Sequence, residues 1–124
     1  MTTETETKKL TEADLANFTG SGKWYRHWLG KSLYTDGAKY VADQAGAYWL
    51  LDDIAVSQTR PKVRAEEFQV WTLTVELEKH KATLKCDDGN GNVVFSKRIE
   101  FTDFPLPEIK FYYADGTILL PNEY

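Results

Sequence analysis

The sequence predicts an α+β domain: an antiparallel sheet of about four to six strands packed on one main helix, with a short N-terminal helix ahead of both. Hydrophobic spacing changes along the chain, from a helical stripe at Ala47, Leu50, Leu51 and Ile54 to strict alternation at Trp71, Leu73, Val75 and Leu77. Turn-forming pairs punctuate the short apolar runs: Asp36-Gly37, Asn90-Gly91 and Asp115-Gly116. A chain of 124 residues suits one compact core that buries about two-thirds of its unfolded surface without disulfides or metals.

The elements follow in order. Residues 1–9 are Thr, Glu and Lys after the initial Met, have little to bury, and are expected to form a disordered tail ahead of a single domain over 10–124. Thr11 caps a helix from about Glu12 to Phe18, with Leu10 and Leu15 as its hydrophobic staple. Thr19-Gly20-Ser21-Gly22 ends it. Leu33–Thr35 and Ala38–Ala42 flank Asp36-Gly37 and read as a β-hairpin, since that pair tolerates the positive φ of a tight turn. The main helix runs from about Ala45 to Gln58 and stops at Arg60-Pro61-Lys62, with Asp52 and Asp53 toward its outer side and Trp49 at the edge of its apolar stripe.

From Glu67 onward the period is two, followed by a strand with Ala82, Leu84 and Cys86 inward and another from Asn92 to Phe101. A two-residue turn at Asn90-Gly91 sets Lys81 opposite Glu100, Ala82 opposite Ile99 and Thr83 opposite Arg98, a register that avoids facing like charges. A tight turn at Glu78-Lys79 places Glu76 opposite Lys81. Phe104-Pro105-Leu106-Pro107 is a connector, because neither proline can donate to a ladder. A last hairpin turns at Asp115-Gly116 and ends at Pro121. Phe68, Val70, Val94, Tyr112 and Ile118 fall out of step with the main core positions and are expected to form an apolar patch on the sheet's second face.

Composition narrows the function classes. A formal charge of −4 opposes a general nucleic-acid binder, and the scattered carboxylates form no ladder of the kind a DNA mimic needs. Cys86 is the single cysteine, so no internal disulfide can form, and with no apolar span or signal segment the expected location is the cytoplasm, away from membranes. His27 and His80 have no further ligands at metal-binding spacing, and no cofactor motif is present. On one strand Cys86 and His80 would stand about 20 Å apart, too far for a nucleophilic pair. Asp52-Asp53 diverge around a helix and read as a solvated face.

The segment Lys23-Trp24-Tyr25-Arg26-His27-Trp28-Leu29 is the main functional candidate. A spacing of four puts Trp24 and Trp28 on one side of either a strand or a helix, so both close the core or both bind. Trp24, Arg26, Trp28 and Trp49 are the candidate partner-binding residues. The alternative is a single-stranded nucleic-acid surface with the paired Trp rings as stacking platforms beside Lys23, Arg26, Lys79, Lys81 and Arg98. Glu76, Glu78 and Glu100 interleave with those sheet cations and reduce their field.

Two blocks, Ser32-Leu33-Tyr34-Thr35-Asp36-Gly37 through Ala47-Tyr48-Trp49-Leu50-Leu51-Asp52, and Glu100-Phe101-Thr102-Asp103-Phe104-Pro105-Leu106 through Tyr124, resemble a family of small uncharacterised proteins of bacterial, plasmid and phage genomes. The resemblance runs from Leu10 onward and implies no activity or catalytic residues. It implies a context in which small acidic proteins of mobile elements block host defences by binding them. The expected function is therefore a non-enzymatic interaction protein of a phage or mobile element, such as an inhibitor of a CRISPR-type complex, with a protein partner and no cofactor. A homodimer is also compatible with the chain.

Overall fold

A computed structural model describes residues 10–18 and 23–124. The expected tail 1–9 and the Thr19–Gly22 turn lie outside the described residues. The fold is α+β, and among the described residues seven strands form one mixed sheet rather than four to six antiparallel ones.

The first helix, α1 (Glu12–Leu15), is shorter than its sequence suggests, but Thr11 and Asp14 cap it reciprocally as a capping box. Strands β1 (Trp24–Arg26) and β2 (Leu33–Thr35) come next, followed by helices α2 (Asp36–Ala45), α3 (Tyr48–Ser57) and α4 (Pro61–Arg64). The rest of the sheet is β3 (Phe68–Glu76), β4 (Lys81–Asp87), β5 (Val93–Ile99), β6 (Glu108–Ala114) and β7 (Thr117–Leu119), and a 3-10 turn at Pro121–Glu123 ends the chain. The order across the sheet is β1-β2-β7-β6-β3-β4-β5. Every neighbouring pair is antiparallel except β2 and β7, which run parallel because three helices and four strands intervene between them.

Asp36-Gly37 does not turn a hairpin. It opens α2, because Thr35 Oγ1 accepts from the Ala38 N–H and the Glu123 carboxylate accepts from the Gly37 N–H at 3.0 Å. Residues 38–42 are thus helical, and the single main helix becomes two. Gly46, at φ 61° and with its N–H on the Ala42 carbonyl, ends α2 in the left-handed conformation that glycine adopts without strain. Pro61 opens α4 rather than merely stopping α3.

The period-two positions behave as expected. Trp71, Leu73 and Val75 face the same core as Ala82, Leu84 and Cys86, and they meet Val41, Leu50, Leu51, Ile54, Val63 and Phe111 there. Leu77 departs from the pattern and is exposed, because the chain leaves β3 at Glu76 to turn through His80, whose φ is 57°. Glu76 pairs with Lys81 as the tight turn requires. Ala82–Ile99 and Thr83–Arg98 also pair as expected, although the turn is longer than two residues. Asp88 draws in the N–H groups of Asn90 and Asn92 and the Asn92 side-chain amide, and a bulge at Cys86/Asp87 absorbs the extra residue. The Asp115-Gly116 hairpin forms with both residues at positive φ and Ala114 opposite Thr117.

Ile118 belongs to the core, not to the second-face patch. Phe68 and Tyr112 do share that face, with ring centroids 4.9 Å apart, and the ring of Tyr124 packs against both at 5.2 and 5.5 Å.

Cys86 is fully buried, and burial, then the Asp87 charge, pushes its thiol up to about 12. A thiol-specific disulfide reagent at about pH 8 is expected to label Cys86 only after unfolding. Labelling of the folded protein within minutes would contradict this burial.

Candidate functional site

The aromatic-basic segment forms β1 and the turn into β2, so it lies at one edge of the sheet. Tyr25 pairs with Tyr34 and stacks on it at 5.6 Å. Its hydroxyl donates to Asp36 at 2.9 Å, and Lys39 lies over the ring. That hydrogen bond holds the Tyr25 phenol above its ordinary pKa. Tyr25 therefore faces the helices, and strand alternation places Trp24 and Arg26 on the opposite side.

The strand ends at Arg26. A turn closed by the Gly30 N–H on the His27 carbonyl, with Gly30 at φ 87°, then reverses the chain. It carries Trp28 back to the helix side, where its indole Nε1–H donates to Asp52 of α3 at 2.9 Å. Trp24 and Trp28 are both exposed, at 57% and 74%, but they flank opposite sides of β1 instead of sharing one. Neither closes the core, and a continuous stacking platform is not formed.

His27 sits between them and is only 2% exposed. Its Nδ1 accepts from the Leu29 N–H at 3.2 Å, so the ring proton lies on Nε2 and donates to Asp52 Oδ1 at 2.7 Å. Both ring nitrogens are thus engaged within the protein. The His27–Asp52 pair is a positioning device that fixes the carboxylate holding Trp28. Asp52 and Asp53 stay partly solvated, as expected of this face, but both are engaged: Asp53 accepts from Lys97 at 3.1 Å. Nothing local in the sequence reports the pairing of positions 27 and 52.

Beside this hairpin lies a cavity of 910 Å³ bounded by the β1–β2 turn, the end of α3, the α4–β3 loop and the β6–β7 turn. Leu29, Ala55 and Val56 supply apolar wall, and Ser32 and Tyr113 meet there through their hydroxyls at 3.0 Å. Sequence reasoning missed it because its four walls come from distant segments. Its inner side is held by buried Gln69, whose amide exchanges two hydrogen bonds with Gln58 and accepts a third from the Trp71 indole.

The profile of DUF6876, a family of unknown function, matches residues 9–124. The chain belongs to this family. No curated protein and no solved structure matches it. The match takes in the edge hairpin, the cavity and the whole sheet of this DUF6876 domain.

The remaining candidate residues fall elsewhere in the DUF6876 domain. Trp49 is half-buried against the core and borders a second groove with Asp53, Lys97, Arg98 and Phe101, away from Trp24. Lys79 pairs with Glu76 at 3.7 Å and Arg98 with Glu100 at 3.8 Å. Lys81 and Arg98 occupy the last two strands of the sheet, which at strand spacing lie about 24 to 29 Å from β1. The structure therefore separates Lys79, Lys81 and Arg98 from Lys23, Arg26 and the two exposed indoles. Among the described residues no group of three or more His, Cys, Asp or Glu side chains is arranged to hold a metal, and no helix is long and apolar enough to cross a membrane.

Proposed function

We propose that this protein is a non-enzymatic binding module that takes an extended, acidic segment of a protein partner along the β1 edge, gripped between Trp24 and Trp28. The observation that carries this reading is the exposure of two tryptophans on either side of an edge strand, one of them pinned. Among the described residues β1 pairs only with β2, so its outer edge offers backbone donors and acceptors to an added strand. Asp52 fixes the Trp28 indole before any partner arrives, which lowers the entropy lost on binding. Lys23, Arg26 and Lys31 surround the hairpin, while its nearby carboxylates Asp36 and Asp52 are engaged by Tyr25, His27 and Trp28. Counted formally, Lys23, Arg26 and Lys31 exceed Asp36 and Asp52 by one positive charge, a small basic excess on an acidic protein that suits an acidic partner. The resemblance noted in the sequence implies a mobile-element origin, and on that reading the first partners to try are host defence complexes such as a CRISPR effector.

The test is affinity capture from host cells with the wild type beside a Trp24→Ala/Trp28→Ala double variant. The variant is expected to melt within about 3 °C of wild type, because neither ring fills the core. It should nevertheless lose a protein partner that the wild type retains, with each hot-spot ring worth about 2 kcal/mol or more of binding. A partner retained by the variant, or tryptophan quenching by single-stranded oligonucleotides that weakens with salt, would overturn the reading in favour of another surface or of nucleic acid.

A further inference from the structure

We infer that the cavity beside the hairpin is a binding site for an uncharged small molecule with an apolar body and one hydroxyl or amide group. Its volume, 910 Å³, falls within the range of small-molecule sites, which run from about 300 to 1,000 Å³. The walls are preformed. Gln69 donates to the Val63 and Glu66 carbonyls as well as exchanging bonds with Gln58, and so ties the α4–β3 loop to the end of α3. A saturated amide network of this kind holds one geometry, since loosening it would strand buried polar groups.

The chemistry of the ligand follows from what the network leaves over. Both protons of the Gln58 amide are used, on the Ile54 carbonyl and on Gln69. The Ser32 and Tyr113 hydroxyls, however, share a single hydrogen bond, and two hydroxyls carry two protons, so one proton and several lone pairs remain at a site where Ser32 is 3% exposed. A hydroxyl or amide on a ligand can both give and take a hydrogen bond there. Leu29, Ala55 and Val56 offer the matching apolar surface. Charge contributes little selection: Lys31 and Arg64 oppose Glu66, Glu67 and Asp115 around the same opening, leaving no dominant sign to attract an ion.

The test uses p-cresol and toluene, which share shape and differ by the hydroxyl, titrated into the full chain while backbone amide resonances are followed. Expected is saturable p-cresol binding in the range of about 1 mM, with shifts at Ser32, Gln58, Gln69 and Gly116, and toluene about tenfold weaker. Val56→Trp, a change on the exposed side of α3, should block the opening and abolish the shifts. The double variant Ser32→Ala/Tyr113→Phe, which removes both hydroxyls, should erase most of the difference between the two probes. The inference is overturned by the absence of saturable shifts at these residues up to about 10 mM, by equal affinities for the two probes, or by Val56→Trp binding p-cresol as wild type does. None of these results bears on partner capture at the β1 edge, so the two proposals fail independently.

Discussion

Gln69→Leu is expected to destabilise the domain by about 3 kcal/mol, read as a fall in Tm of roughly 10 °C or more. On volume alone the change looks harmless, because Gln69 is 1% exposed on the core face of β3, in step with Trp71, Leu73 and Val75. The hydrogen bonds say otherwise. The Gln69 Oε1 accepts from Gln58 Nε2 and Trp71 Nε1, both at 2.8 Å, and its Nε2 donates to the carbonyls of Val63 and Glu66 and to Gln58 Oε1. Leucine removes all five contacts at once, in which the two Nε2 protons are shared among three acceptors. The Val63 carbonyl keeps backbone partners and Gln58 can reach solvent, but the Trp71 N–H is left in a fully buried position with no acceptor. Stranding a buried donor costs about 1 to 3 kcal/mol beyond the lost bonds.

A second substitution separates this cause from simple mispacking. If the stranded indole N–H carries the penalty, Trp71→Phe should cost less in the Gln69→Leu background than in the wild type, since replacing both partners by apolar groups removes the unmet donor. Chemical denaturation of the four proteins in this cycle gives the coupling directly. A fall in Tm under about 2 °C for Gln69→Leu, or strictly additive costs, would show that the amide network is not what holds this part of the core.

Local patterns in the chain translated well into structure, and long-range partnerships did not. The alternation through Trp71, Leu73 and Val75, the facing run Ala82, Leu84 and Cys86, and the Asp115-Gly116 hairpin all depend on residues close in sequence, and all form. Asp36-Gly37 is the same dipeptide as Asp115-Gly116 yet starts a helix, because Glu123, 88 residues from Thr35, completes the cap. Turn propensity is a weak preference, and two extra acceptors for helix N–H groups outweigh it.

The site shows the same division. Composition alone pointed to the segment containing Trp24, Arg26 and Trp28, but the outcome for its rings turned on where β1 stops and on Asp52, 25 residues from His27. Alternation extended through Trp28 puts both indoles on one side; the Gly30 turn puts them on two. Gln69 carried a readable signal, a lone polar side chain at a core position, whereas the cavity it supports joins four segments that no single pattern connects.

Glu123→Ala is expected to cost about 2 to 3 kcal/mol although it lies in the last turn of the chain, a kind of position where most substitutions are tolerated. Its Oε1 accepts from the Thr35 hydroxyl and the Leu120 N–H, and its Oε2 from the Gly37 N–H, so one carboxylate joins the end of β2, the first turn of α2 and the C-terminal turn. Bonds to a charged acceptor are stronger than neutral ones, and the negative charge faces the positive end of the α2 dipole. Gly37 is part of the same clasp. A Cβ there would stand 2.6 Å from Glu123 Oε1 and 2.7 Å from Leu120 Cδ1, so Gly37→Ala must displace these side-chain ends, and the carboxylate can yield only by lengthening the bonds to its three donors. The two changes should therefore not add. Once Glu123→Ala has removed the carboxylate, the methyl group that Gly37→Ala introduces has only the Leu120 side chain to displace, and the double variant should be more stable than the sum of the singles by about 1 kcal/mol or more. Denaturant midpoints of the four proteins measure this coupling, and additivity within about 0.3 kcal/mol would mean that the helix start and the C-terminal turn are held independently.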